Sequence, residues 1–210
     1  MKIRAYNLIF LALALLSMAI VVKAQDDSTV NREYQIKAAF LYNFLKFVDW
    51  PKEKLADSNE PVSIGIIGKD PFGNAFAPVK DKENKGRKVT IKRFKTFEEL
   101  KKSGEKDKSL LDREMEALRK CHLLFISSSE KEMLKEIIDA VKDHSILTVA
   151  DTQGFLESGG IINFIMEEQK VRFEINVTNA RQAKLQIRSQ LLRLAKRVVE
   201  EKDAEENKNK

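Results

Sequence analysis

Asp151, Glu157 and Glu174 are the residues whose type and placement could do chemistry together, because all three could meet at the carboxyl end of a sheet, where open α/β folds bind ligands. Carboxylates alone make no mechanism, and two of them have plainer roles. Asp151 follows an apolar strand and can cap the turn or short helix DTQGFLESG. Glu174, between Phe173 and Ile175, can be a solvated or edge-guarding charge. Cys121 and His122 are neighbours, and adjacent side chains on a strand point to opposite faces, which argues against a Cys–His nucleophile. Ser127, Ser128 and Ser129 lack the GxSxG elbow. Two histidines and one cysteine argue against a structural zinc site.

Phosphate cradles fail on context. Gly159-Gly160 leads into a strand, whereas a cradle opens a helix. Gly65-x-x-Gly68-Lys69 follows a strand, but Asp70 stands where a magnesium-binding Ser or Thr is needed. Asn176-Val177-Thr178 matches a glycosylation acceptor and serves equally as a helix start.

The elements that must position these residues follow from apolar periodicity. Val30 to Trp50 predicts one amphipathic helix with a wide apolar arc, ended by Pro51. Pro61 to Gly68 and Lys88 to Phe94 predict strands. Thr96 to Lys120 predicts outer helical pieces broken near Ser103-Gly104. Cys121 to Ser127 and Ser145 to Asp151 are apolar runs joined by a helix whose capping signal is Ser129 with Glu132, a pattern of parallel strands covered on both faces. Ile161 to Met166 and Val171 to Ile175 predict a hairpin that adds an antiparallel edge, followed by a helical region from about Thr178 to Glu200. The expected fold class is α/β: a Rossmann-like three-layer sandwich, mostly parallel, with an antiparallel C-terminal hairpin and flanking helices.

Residues 1–24 carry Lys2 and Arg4, an apolar run from Leu8 to Val22 and small residues at Val22 and Ala24, the pattern of a secretory signal cut after Ala24. Its loss lowers the formal charge of +6 by three, to +3, too mild an excess to imply nucleic acid. KDKENKGRK and KKSGEKDKS mix both signs and predict solvated loops. The single Cys121 permits no intramolecular disulfide. What remains is expected to be one domain over residues 25–200, with a charged, disordered tail at 201–210 and no cofactor or metal.

Five blocks then carry a resemblance: AAFLYNFLKFVDWP, IGIIGKDPFG, CHLLFISSSE, ILTVADTQGFLESGGIINF and VRFEINVTNARQAKLQIRSQLLRLAKRV. In content and order they resemble the YfiR family of bacterial periplasmic regulators, over nearly the whole mature chain. The resemblance implies an α/β fold and a non-enzymatic role: a periplasmic repressor docked on the outward-facing sensor domain of an inner-membrane diguanylate cyclase, holding cyclic-di-GMP synthesis low until an outer-membrane lipoprotein draws it away. A membrane histidine kinase as partner, a homodimer, and a small-molecule-binding protein stay open as alternatives. Two departures stand out. Cys121 has no partner for the disulfides that family members carry, and Lys184 occupies a position where the family usually has glycine.

On this reading the partner surface is Asp151 to Gly160 with the helix Val177 to Val199. Gly159 and Gly160 allow a tight turn and close approach by a neighbour. Phe155 is the nearest aromatic anchor, with core packing as its plainer role. If a small ligand binds instead, Glu174, Asn176 and Arg188 are its expected polar contacts.

Overall fold

The computed structural model describes residues 32–55, 60–79 and 82–200; the expected leader and the charged tail lie outside them. The strands are β1 (Val48–Asp49), β2 (Val62–Ile67), β3 (Glu83–Asn84), β4 (Arg87–Phe94), β5 (Leu123–Ile126), β6 (Leu147–Ala150), β7 (Ile162–Glu167), β8 (Lys170–Asn176), β9 (Gln186–Ile187) and β10 (Arg197–Val199). The helices are α1 (32–47), α2 (Phe97–Lys106), α3 (Lys108–Arg119), α4 (Leu134–Val141), α5 (Val177–Gln182) and α6 (Ser189–Leu192). Eight strands form one sheet in the order β10-β8-β7-β6-β5-β2-β4-β3, while β1 and β9 make a separate antiparallel ribbon. Only the β7–β8 and β3–β4 pairs of the large sheet are antiparallel.

Alternation along the strands sorts side chains into two layers. Ile64, Ile66, Leu123, Phe125, Leu147 and Val149 join Leu41, Phe44 and Leu45 of α1 on one face. Ile67, Leu124, Ile126 and Ala150 face Leu100, Leu118, Ile137 and Val141 of α2 to α4 on the other. The chain thus adopts the expected three-layer α/β sandwich. On the first face Phe44 stacks on Phe164 at 5.7 Å and meets Phe173 edge-on at 5.1 Å, so the arc of α1 is spent on the core beneath it.

Several boundaries differ from expectation, each for a local reason. Helix α1 stops at Phe47 because Val48 and Asp49 leave it to pair with Ile187 and Gln186. The α2–α3 break falls at Asp107, whose carboxylate accepts the N–H groups of Ser109 and Leu110, and not at Gly104. Gly104 lies inside α2, where a Cβ would meet Leu111 Cδ2 at 2.5 Å, so this glycine serves close helix packing. Ser127, not Ser129, caps the six-residue 3-10 turn Ser128–Met133 that leads into α4. Within KDKENKGRK residues 83–88 supply the β3–β4 hairpin, and most of KKSGEKDKS lies within α2 and α3.

The largest correction is at the C-terminus. The expected helix from Thr178 to Glu200 is broken into α5, β9, α6 and β10, and β10 pairs in parallel with β8. The β7–β8 hairpin is therefore interior to the sheet, not its edge. Its turn places Glu168 and Gln169 at φ 48 and 60, the pair of positive values a two-residue type I′ turn requires. Lys184 ends α5 at φ 58, so the turn that glycine usually makes in the family survives with a lysine in it.

An L residue in the left-handed region costs about 1–2 kcal/mol that glycine does not incur. Lys184→Gly is expected to raise unfolding stability by roughly 1 kcal/mol, and Lys184→Val to lower it, in urea denaturation of the full chain.

Candidate functional site

Strand order reverses around β2, with β4 on one side and β5 on the other, and such a switch point is where open α/β sheets leave a ligand crevice. Here it is laced shut. Ser127 Oγ donates to the Lys69 carbonyl at 2.8 Å, and the Lys69 N–H donates to Ser129 Oγ at 3.0 Å. Buried Glu130 accepts the Phe97 N–H at 3.0 Å. Even a Cβ on Gly68 would come within 2.6 Å of Ser129 Oγ.

An open crevice lies past the end of β6 and alongside β7, with a volume of about 360 Å³, and its polar lining is Asp151, Gln153, Glu157, Asn163, Glu174 and Arg197. Register explains the convergence. Ala150 stands beside Asn163, Asn163 beside Glu174, and Glu174 beside Arg197, one row across four strands. Asp151 follows that row at the end of β6.

Asp151 is held from below by α1. Its Oδ2 accepts from Lys37 Nζ at 2.6 Å and from the Tyr34 hydroxyl at 3.0 Å. Lys37 is 3 % exposed and also meets Glu33 at 2.5 Å. Burial, with the Asp151 charge beside it, pushes the Tyr34 hydroxyl well above its ordinary pKa, so it remains a donor. Asp151 Oδ1 is buried with no donor among the described residues. On the crevice floor Glu174 takes both a 2.8 Å and a 3.0 Å bond from Arg197, and Glu157 lies 3.6 Å from the same guanidinium. The Glu174 hydrogen bond, then the two carboxylate charges, raise Arg197 above its ordinary pKa despite desolvation. No nucleophile and base meet here; the groups can hold a molecule by charge and hydrogen bonds.

The sequence-derived residues divide into groups. Asp151, Glu157 and Glu174 do share the crevice. Phe155 is fully buried, and its ring fills the space of the missing Gly160 side chain, where a Cβ would sit 2.3 Å from Cε1. The close approach that the glycine pair allows is therefore by the chain's own Phe155 at Gly160 and by Ile138, 3.1 Å from a Cβ on Gly159 (φ +101). Asn176 caps α5 through the Asn179 N–H at 2.9 Å, at the amino end of β7, away from Asp151. Arg188 makes two 2.8 Å bonds to Asp49 beside the β1–β9 ribbon, and these bonds hold Asp49 down at about 2. The expected helix Val177 to Val199 is not a single surface, though its end supplies Arg197.

Glu33, Tyr34, Lys37 and Arg197 are what sequence reasoning missed. One signal was present: Lys37 lies within the apolar arc of α1, and a charge on a buried stripe needs a counter-ion.

Cys121 and His122 do point apart. Cys121 packs under Gly65, where a Cβ would be 2.9 Å from its Sγ, and burial raises its thiol pKa. His122 accepts the Ser63 N–H on Nδ1 at 3.2 Å and lies edge-on to Trp50. Burial, then the positive charges of Lys54, Arg87 and Lys92, push its pKa down to about 4. Among the described residues no group of three or more His, Cys, Asp or Glu could hold a metal ion.

A family model described as YfiR/HmsC-like matches residues 34–196. None of the curated proteins matches the chain. Among solved structures, a conserved domain protein from Vibrio cholerae O1 biovar El Tor is 13 % identical, with a TM-score of 0.45 over 70 % of this chain and 57 % of its own. The ABC domain in complex with L-Trp from Streptococcus pneumonia is 11 % identical, with a TM-score of 0.46 over 66 % of this chain and 55 % of its own. The chain thus spans little more than half the length of each of these two structures.

Two outcomes follow from the site's electrostatics. Lys37→Met strands the Asp151 carboxylate in a buried position and is expected to cost about 3–5 kcal/mol in urea unfolding, with most of the loss recovered in the Lys37→Met, Asp151→Leu pair. His122 is held neutral in the fold, at about 4 against an ordinary 6.5. Its contribution to stability is complete above pH ~6.5 and drains away as pH falls toward ~4, by up to ~1.4 kcal/mol per pH unit. Unfolding curves of His122→Asn across that window should fall less steeply than those of the unaltered chain.

Proposed function

Since the chain belongs to the YfiR/HmsC-like family, we infer that it is a periplasmic regulator which binds the periplasmic domain of an inner-membrane diguanylate cyclase and represses cyclic-di-GMP synthesis. The observation that carries this reading is the family match, which spans the α/β core from Tyr34 on α1 to Lys196 before β10. The site geometry is in keeping with it. The carboxyl edge offers a shallow crevice of ion pairs, with no nucleophile positioned against a base, and such a surface acts by being touched. An outer-membrane lipoprotein competing for the same regulator would relieve the repression.

The reading also fits the packing of the molecule. Helix α1 and the hairpin are buried against each other through Phe44, Phe164 and Phe173, so a partner meets a rigid rim rather than a segment that folds on contact.

Deletion of the gene in its own bacterium is expected to raise cellular cyclic-di-GMP severalfold, measured by mass spectrometry of nucleotide extracts. Restoring the chain in the periplasm should return it to the starting level. An unchanged cyclic-di-GMP level in the deletion strain would contradict the reading.

A further inference from the structure

The eight-stranded sheet is finished differently on its two sides. At one side β10 is three residues long, and its Arg197 is bound to both oxygens of Glu174. At the other side β4 is eight residues long, and β3 covers only its start, pairing Asn84 with Arg87 and Glu83 with Lys88. The Val89 N–H then donates to the Lys82 carbonyl at 3.2 Å, and there the cover ends. A strand residue turns its N–H and C=O to the same side and successive residues alternate, so an outward Val89 makes Ile91 and Arg93 outward too. Among the described residues nothing bonds the N–H and C=O groups of these two on that side. Ile91 is half-buried, and Lys92 and Arg93 are exposed, so the edge is open.

The side chains along it carry charge of one sign. Val89 and Ile91 lie on the α1 face of the sheet, and Arg93 beside them is bound to Asp70 at 2.6 Å. Lys88 and Lys92 stand on the other face, both exposed, and neither forms an ion pair among the described residues. Lysines on a bare edge keep strands in general away. The strand they admit is one of opposite charge, because unlike charges set against each other across a ladder attract.

We propose that the outer edge of β4 is a docking strand for an extended acidic segment of the protein partner, which bonds the outward N–H and C=O groups of Ile91 and Arg93 and sets Asp or Glu side chains beside Lys88 and Lys92. The inference rests on the regulator reading above and names the chemistry of one contact that the partner makes. Only β5 and β2 separate β4 from β6, roughly 14 Å from strand to strand, so a partner seated on the carboxyl rim reaches this edge with a short segment.

The test adds an acetylated octapeptide alternating glutamate and threonine to the isotope-labelled full chain and follows amide hydrogen exchange by NMR. Exchange at Ile91 and Arg93 is expected to slow severalfold, while Thr90 and Lys92, whose N–H groups face β2, keep their rates. Neither the peptide with lysine for glutamate nor the acidic peptide with proline at every other position should have this effect, since one has the wrong charge and the other lacks N–H donors. Lys88→Glu combined with Lys92→Glu should abolish the protection, whereas Lys170→Glu, in the β7–β8 hairpin, should leave it intact. Unchanged rates at Ile91 and Arg93, or slowing that the proline peptide matches or the double variant retains, overturn the proposal. Its failure beside a raised cyclic-di-GMP level in the deletion strain removes only the edge assignment. Protection by the acidic peptide beside an unchanged level removes the regulator reading instead.

Discussion

A buried ion pair, Lys37 with Asp151, ties helix α1 to the carboxyl edge of the sheet. It joins α1, which carries the aromatic layer of the core, to the first residue after β6, where the crevice begins. Both side chains are almost wholly withdrawn from water, so each depends on the other: an isolated buried charge costs several kcal/mol, while the pair with its hydrogen bonds recovers most of that. Tyr34 adds a hydroxyl donor and Glu33 a second acid, and the four residues together fix how α1 lies across the sheet. The register row Ala150, Asn163, Glu174 and Arg197 then has a constant position relative to Asp151.

The same economy of space decides where the carboxyl edge of the sheet is open. At the switch point beside β2, Gly68, Ser127, Ser129 and Glu130 bind one another and leave no room. Farther along the sheet, the crossover from β6 to β7 contains no helix of its own and turns back through Phe155 onto Gly160. That short crossover leaves Ile165 and Glu174 only partly covered, and the crevice is the result. The carboxyl edge of this sheet therefore carries a crevice at a position set by the length of one connection rather than by strand order.

How much of this was legible in the sequence depends on the range of the interaction. The core strands and the two-layer sorting followed from runs such as IGIIG and CHLLFIS, because a doubly covered strand leaves a continuous apolar signature. The meeting of Asp151, Glu157 and Glu174 followed from their expected place at the carboxyl end of the sheet. Lys37 did not, since its partner lies 114 residues away and only packing brings them together. The C-terminal helix was overcalled because Leu185, Leu191 and Leu192 repeat at spacings a helix also gives, whereas short strands such as Gln186–Ile187 are specified by their partners. The neighbour that the glycine pair admits is internal, Phe155 at Gly160 and Ile138 at Gly159, and sequence spacing does not show which side chain folds back onto them.

The proposed regulator acts by being touched, so position on the surface is the decisive quantity. A photo-crosslinking residue placed at Gln153, on the crevice rim, and another at Arg188, beside the ribbon, would compare the two ends of the sheet in living cells. The account predicts a specific adduct with an inner-membrane diguanylate cyclase from Gln153 and none from Arg188. An adduct with that cyclase from the Arg188 position alone would contradict it.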